Sequence, residues 1–229
     1  AVLSPTYNEH AASLAAAGWA VREPPDPAAL AGADLAVIVN PNNPDGRAFT
    51  PAEIAAIAAS VGHLVVDESF ADARPDLSVA GARPANVTLL RSFGKFWGLA
   101  GLRLGFALGA PDLLARMADR AGPWPVSGPA IQIGTQALAD SLWHADTIVW
   151  LAEAALHLDQ IVTPHWPLVG GTHLFRLYHT PDAAQAQARL AKAGIWSRAF
   201  PWHPHWLRLG IPGDTGEFDR VRAAFTAAG

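Results

Sequence analysis

The chain contains no cysteine. That absence excludes disulfide frameworks, zinc–thiolate sites, iron–sulfur clusters and thiol nucleophiles. Lysine is nearly absent too: only Lys95 and Lys192 occur among 16 basic residues, the rest being arginine, so chemistry that needs a side-chain amine has two candidates. Neither sign of charge dominates. With 16 basic against 20 acidic residues and a formal charge of −4, the chain carries no electrostatic footprint for nucleic acid or an anionic membrane. No apolar run reaches about 18 residues, the length of a helical membrane span. The opening Ala1-Val2-Leu3-Ser4-Pro5 has neither the basic leader nor the cleavage pattern of a signal peptide. The expectation is a soluble, cytoplasmic protein that binds neither nucleic acid nor membrane. The chain also opens without methionine and directly in strand-like residues, as a piece of a longer protein would.

What is present suffices for a sizeable core: 229 residues, 51% hydrophobic and 16% charged. The first part alternates short β-rich runs with alanine-rich helical stretches, the pattern of βα units around a mainly parallel sheet. Strands are predicted at 1–4, 34–40, 63–68, 86–93 and 102–108, and helices at 9–17, 51–60 and 111–121. Thr50, Pro51 and Glu53 spell a capping box at the start of the second helix. Gly122-Pro123-Trp124-Pro125-Val126-Ser127-Gly128-Pro129 must be a loop, since its prolines lack amide donors. Helices at 130–140 and 142–161 follow. A different order then begins, with a strand at 172–178, a helix at 181–193, strands at 195–200 and 207–209, and a helix over Glu217–Ala228. The expected organisation is an α/β large domain over 1–140 and a smaller α+β domain over 141–229.

Ligands of open α/β sheets collect beyond the carboxyl ends of the strands. There the chain places Pro5-Thr6-Tyr7, Pro41-Asn42-Asn43-Pro44-Asp45-Gly46, Asp67-Glu68-Ser69-Phe70 and Ser92-Phe93-Gly94-Lys95. Taken singly each has a plain structural explanation. Pro-Asn-Asn-Pro-Asp-Gly is turn chemistry, an acid often ends a strand, and a lysine can simply be exposed. Together they bring an aromatic ring, an amide, a carboxylate and an amine to one edge. Lys95 lies among aromatics and glycines, surroundings that suit a Schiff-base lysine. That set matches what pyridoxal phosphate needs, with Arg103, past a Gly-rich turn, as the cation for its phosphate. The glycines at 98, 101 and 105 form neither a dinucleotide fingerprint nor a P-loop. His203 and His205 have metal-ligand chemistry but no third ligand at a recognisable spacing, so no metal is assigned.

At these residues the chain resembles the class I/II aminotransferase family, fold type I of the pyridoxal-phosphate enzymes. Asn40-Pro41-Asn42-Asn43-Pro44-Asp45-Gly46 is similar to the family's Asn-Pro-Asn-Asn-Pro-Thr-Gly loop, Val66-Asp67-Glu68-Ser69-Phe70 to its Asp-Glu-Ala-Tyr strand end, and Ser92-Phe93-Gly94-Lys95 with Arg103 to its lysine signature. The resemblance covers essentially the whole chain and ends at Trp206-Leu207-Arg208-Leu209-Gly210. It implies that Tyr7 stacks on the pyridine ring, Asn43 bonds the phenolic oxygen, Asp67 pairs with the ring nitrogen and His10 supports Asp67. Lys95 would form the covalent link, Ser92 and Arg103 would hold the phosphate, and Arg208 would bind the substrate carboxylate with Arg198 as a second anion contact. Phe70 stands where many members have tyrosine, and Asp45 replaces the loop threonine. Within the family the motifs look most like the threonine-phosphate decarboxylase group of cobalamin synthesis, with histidinol-phosphate aminotransferases as the alternative. The resemblance further implies a phosphorylated amino-acid substrate, a homodimer, and an N-terminal arm and phosphate-binding helix that are not found in this sequence.

Overall fold

The computed structural model describes residues 1–226. The last two residues of the helix predicted over Glu217–Ala228 therefore lie outside the described residues. The chain divides into two compact units, one formed by Ala1–Asn43 and Arg47–Ser141, the other by Pro44–Gly46 and the residues from Leu142 onward.

The first unit is built on a four-stranded sheet in the order β1 (Leu35–Val39), β2 (His63–Asp67), β3 (Val87–Ser92), β4 (Gly105–Leu108). β1, β2 and β3 run parallel, and β4 joins β3 antiparallel. Four of the five β1 residues are buried, as expected of a parallel strand covered on both faces. β3 is buried over Val87–Leu89 and only half-buried over Leu90–Ser92, so its carboxyl end opens where the site residues lie. Leu3, Ile38, Ile54, Leu64, Val66 and Leu89 form the centre of the core, each side chain contributing about 1.5–3 kcal/mol on burial.

Helix α1 (Glu9–Ala16) precedes the sheet and α2 (Pro51–Ala59) connects β1 to β2. α2 begins as its sequence dictates. The Thr50 hydroxyl accepts from the Glu53 amide at 3.3 Å and the Glu53 carboxylate accepts from the Thr50 amide at 2.7 Å, with Pro51 at the first helical position. Ile54 and Ala58, four residues apart, face the core. Gly62 ends the connection because a Cβ there would sit 2.6 Å from the Asp34 carbonyl oxygen. Helices α3 (Pro111–Ala121) and α4 (Gly128–Ala139) close the unit.

The second unit holds most of α5 (Ser141–Val162) and a four-stranded antiparallel sheet of β5 (Leu168–Thr172), β6 (Phe175–His179), β7 (Arg198–Phe200) and β8 (His203–Gly210), ordered β5-β6-β8-β7. Helices α6 (Ala183–Lys192) and α7 (Thr215–Thr226) complete it. Leu158, Tyr178, Leu190, Leu207 and Phe218 are central to its core. Asp159 on α5 ties helix to sheet, accepting from both the Arg176 guanidinium and the Tyr178 hydroxyl, the latter at 2.7 Å. Burial first, then the neighbouring carboxylate, pushes the Tyr178 phenol well above its ordinary range.

Three expectations are corrected. The loop expected over 122–129 ends at Ser127, because Gly128 and Pro129 open α4, where a proline's missing amide donor is not needed. Residues 1–4 do not form a ladder strand: only Val2 bridges Val37. The single strand expected over 172–178 is a hairpin, β5 and β6, turning at His173-Leu174. Gly170 and Gly171 argue against a strand by propensity. They are there because a Cβ at Gly170 would lie 2.1 Å from the Asp45 carbonyl oxygen, an approach only glycine permits.

Candidate active site

The carboxyl ends of β1, β2 and β3 deliver the site of the first unit. After β1, Asn40 is buried and closes the loop on itself, its amide oxygen accepting from the Phe49 amide at 2.8 Å and its nitrogen donating to the Phe49 carbonyl at 3.0 Å. Asn42 is buried and ties that loop to the segment before α1, accepting from the Thr6 hydroxyl at 2.6 Å and donating to the Pro5 carbonyl at 2.9 Å. These two amides are structural, and Asn43, which follows them, is half-buried at the start of the turn.

Asp67 closes β2. One carboxylate oxygen lies 2.9 Å from His10 Nε2, and the other accepts from the Ser69 amide at 2.9 Å and from the Ser69 hydroxyl. Burial alone would raise its pKa. The His10 and Ser69 hydrogen bonds, with the His10 ring's charge and the Ser69 amide, outweigh burial and hold it below the ordinary aspartate range. A carboxylate offers about four acceptor directions, so one remains for a further N–H donor. Tyr7, 46% exposed, sets its ring edge-on to the His10 imidazole at 5.6 Å.

Ser92 ends β3 and its hydroxyl accepts from the Gly94 amide at 3.1 Å. Lys95 is exposed on the turn that follows, with Nζ 5.5 Å from the centre of the Phe70 ring. Arg103 has φ +53° and ψ +36° and is the one non-glycine residue with positive φ among the described residues. Such a conformation costs about 1 kcal/mol or more for a non-glycine residue, and the guanidinium donates to the Ala100 carbonyl at 3.3 Å. Tyr7, His10, Asn43, Asp67, Ser92, Lys95 and Arg103 thus all belong to the first unit, with His10 on α1, Asp67 and Ser92 closing β2 and β3, and the others on connecting segments.

A set of residues that sequence reasoning missed lies directly beside these. Glu68 is fully buried and accepts from Arg91 at 2.9 Å, Ser78 Oγ at 2.7 Å and the Val79 amide at 2.9 Å. Arg91 reaches with its other nitrogen to Asp72 Oδ1 at 2.8 Å, and the same oxygen accepts from Trp97 Nε1 at 3.3 Å. Burial would lower the Arg91 pKa, but the two carboxylates raise it overall. The signal was present as alternation: Glu68 follows Asp67 and Arg91 precedes Ser92, so strand period two sends them to the opposite face.

In the second unit Arg198 and Arg208 stand directly opposite in the β7–β8 register. Burial, followed by the charge of Arg198, lowers the Arg208 pKa. Like charges in that relation are destabilising, and an anion between the guanidiniums would relieve it. Arg208 also lies over the Phe175 ring at 5.0 Å. His203 and His205 are engaged elsewhere: His203 stacks on Trp206 at 4.2 Å and His205 on His179 at 5.0 Å. Among the described residues no three histidine or acidic side chains are arranged to hold a metal ion. No helix among them is long and apolar enough to cross a membrane.

Residues 1–225 match the family model described as aminotransferase class I and II. The chain is 46% identical to a threonine-phosphate decarboxylase of a Sinorhizobium species, over 98% of this chain and 69% of that protein. It is 42% identical to the threonine-phosphate decarboxylase of Pseudomonas aeruginosa, over 97% and 70%. In structure it is similar to the L-threonine-O-3-phosphate decarboxylase of Porphyromonas gingivalis, with a TM-score of 0.84 at 19% identity, covering 99% of this chain and 75% of that one. The chain therefore spans about 70% of the length of these two curated relatives.

Proposed function

Because the chain belongs to the class I and II aminotransferase family, we propose that it is a pyridoxal-phosphate enzyme that decarboxylates L-threonine O-3-phosphate to aminopropanol phosphate. The observation that carries this reading is the charge state built into Asp67, a buried carboxylate held anionic by His10 and Ser69 with one acceptor direction left. That donor set fits a protonated pyridine nitrogen. When bound, pyridoxal phosphate supplies an electron sink for the pair released as a bond at the substrate α-carbon breaks.

The chain's residues divide the remaining work. Asp67 accepts from the ring nitrogen and holds its proton in place, and His10 keeps Asp67 oriented. Tyr7 offers its ring as a stacking surface, Asn43 donates to the phenolic oxygen, and Ser92 with Arg103 holds the phosphate. Lys95 provides the attaching amine and, once carbon dioxide has left, its Nζ returns a proton to the α-carbon. Arg208, with Arg198, binds the substrate carboxylate. Where Arg208 and Arg198 hold the substrate carboxylate would decide whether the α-carbon loses carbon dioxide, as proposed, or a proton, as in a transaminase. The heptad-spaced exposed side chains Leu142, Val149 and Leu156 along α5 support self-association as a homodimer.

The test is incubation of the full-length protein and cofactor with threonine phosphate, measuring released carbon dioxide. Release without any amino acceptor is expected. A requirement for a 2-oxo acid, with no carbon dioxide formed, would overturn the decarboxylase reading in favour of a transaminase.

A further inference from the structure

Lys95 sits on an exposed turn, yet its chemistry demands orientation, and an exposed turn does not by itself provide it. Inside the first unit a chain of side chains does. Each of the three site residues on β2, β3 and the following turn has a neighbour, one or two positions away, in a single buried network: Glu68 beside Asp67, Arg91 beside Ser92, Trp97 two residues after Lys95. Asp72 is the node between them. It is 93% buried, its Oδ2 accepts no hydrogen bond, and the bonds from Arg91 and from Trp97 converge on Oδ1. The Trp97 ring also stacks on Phe93 at 5.2 Å with planes 10° apart, so both sides of the lysine turn are anchored through Trp97.

We propose that Asp72 and Trp97 are positioning residues for Lys95, the Asp72–Trp97 hydrogen bond fixing the lysine turn to the Glu68–Arg91 pair and through it to the strand that carries Asp67. This rests on the proposed role of Lys95 but is testable without the cofactor. Arg91 donates to both buried carboxylates through separate nitrogens, so the network has a fixed geometry to transmit. An orienting contact of this kind is worth up to about a hundredfold in rate when lost.

The sparse lysine content makes the test direct. The full-length protein without cofactor is treated with a small amine-acylating reagent, and labelling of Lys95 is measured by peptide mass spectrometry against Lys192 on α6 as internal reference. In Trp97→Phe, which keeps a ring to stack on Phe93, and in Asp72→Ala, the Lys95 to Lys192 ratio should rise by about threefold or more, because a freed turn meets reagent more often. On adding pyridoxal phosphate, the visible band should form about tenfold more slowly in both variants, because the oriented amine is lost. Asp72→Asn keeps the Oδ1 acceptor and should restore labelling to near wild type. Ser78→Ala removes a Glu68 bond and a longer Arg91 contact while leaving the Asp72–Trp97 bond in place, and should lower thermal stability without changing the labelling ratio. The proposal fails if Trp97→Phe and Asp72→Ala label like wild type, or if Ser78→Ala shifts the ratio as far as they do. A wild-type protein that forms no band would instead overturn the cofactor reading, and the labelling comparison would still decide the proposal.

Discussion

Asp67 shows how one residue's charge is set by competing terms. Burial favours the neutral acid, while donors from His10 and Ser69 favour the anion, and the donors prevail. A carboxyl whose pKa is lower in the folded than in the unfolded chain stabilises the fold at pH values above its unfolded value. That contribution disappears as pH falls through the folded value. Thermal melting of wild type and Asp67→Asn should therefore differ most at pH values above the ordinary aspartate range and converge as the pH falls below it, since only the wild type carries this acid dependence. A gap that stays constant over that range would show that the pairing with His10 does not bias the charge. Lys95→Ala should abolish the visible band with pyridoxal phosphate and the borohydride-stable attachment of the cofactor. A persisting band would move the assignment to Lys192.

Among the elements, α2 and the Pro44–Gly46 turn illustrate opposite degrees of legibility. The capping box of α2 was readable because it needs only three local residues, and the observed bonds are those the sequence calls for. Thr50→Ala should cost about 1 kcal/mol, lowering the melting temperature by about 3 °C for a chain of this size. The glycine pairing was not readable. Gly46 has φ +73°, and a Cβ on it would lie 2.0 Å from the Gly171 carbonyl oxygen, a contact between residues more than a hundred positions apart in sequence. Gly170→Ala should force the Asp45 carbonyl away and displace the loop that carries Asn43. Cofactor affinity, measured by titrating the visible band, should fall by about tenfold. Unchanged affinity would mean that Asn43 is held independently of this turn.

In the whole molecule, the residues proposed to hold the cofactor belong to the first unit and the paired arginines to the second. Arg208→Gln should accordingly leave the cofactor band intact while reducing kcat/KM for threonine phosphate by about 10- to 100-fold, the equivalent of one or two charged hydrogen bonds at about 1.5–3 kcal/mol. Loss of the band together with activity would show instead that Arg208 serves the fold or the cofactor. By itself the sequence determined the α/β order, the strand ends and the identities of Tyr7, Asn43, Asp67, Ser92, Lys95 and Arg103 as candidates, because periodicity, caps and contiguous motifs are local properties. Only the tertiary structure decided that Asn40 and Asn42 close a loop, that Arg198 faces Arg208, and that Asp72 joins Arg91 to Trp97. Each of those depends on which distant residue a side chain meets once the strands are in register, and register is set by packing rather than by any one segment.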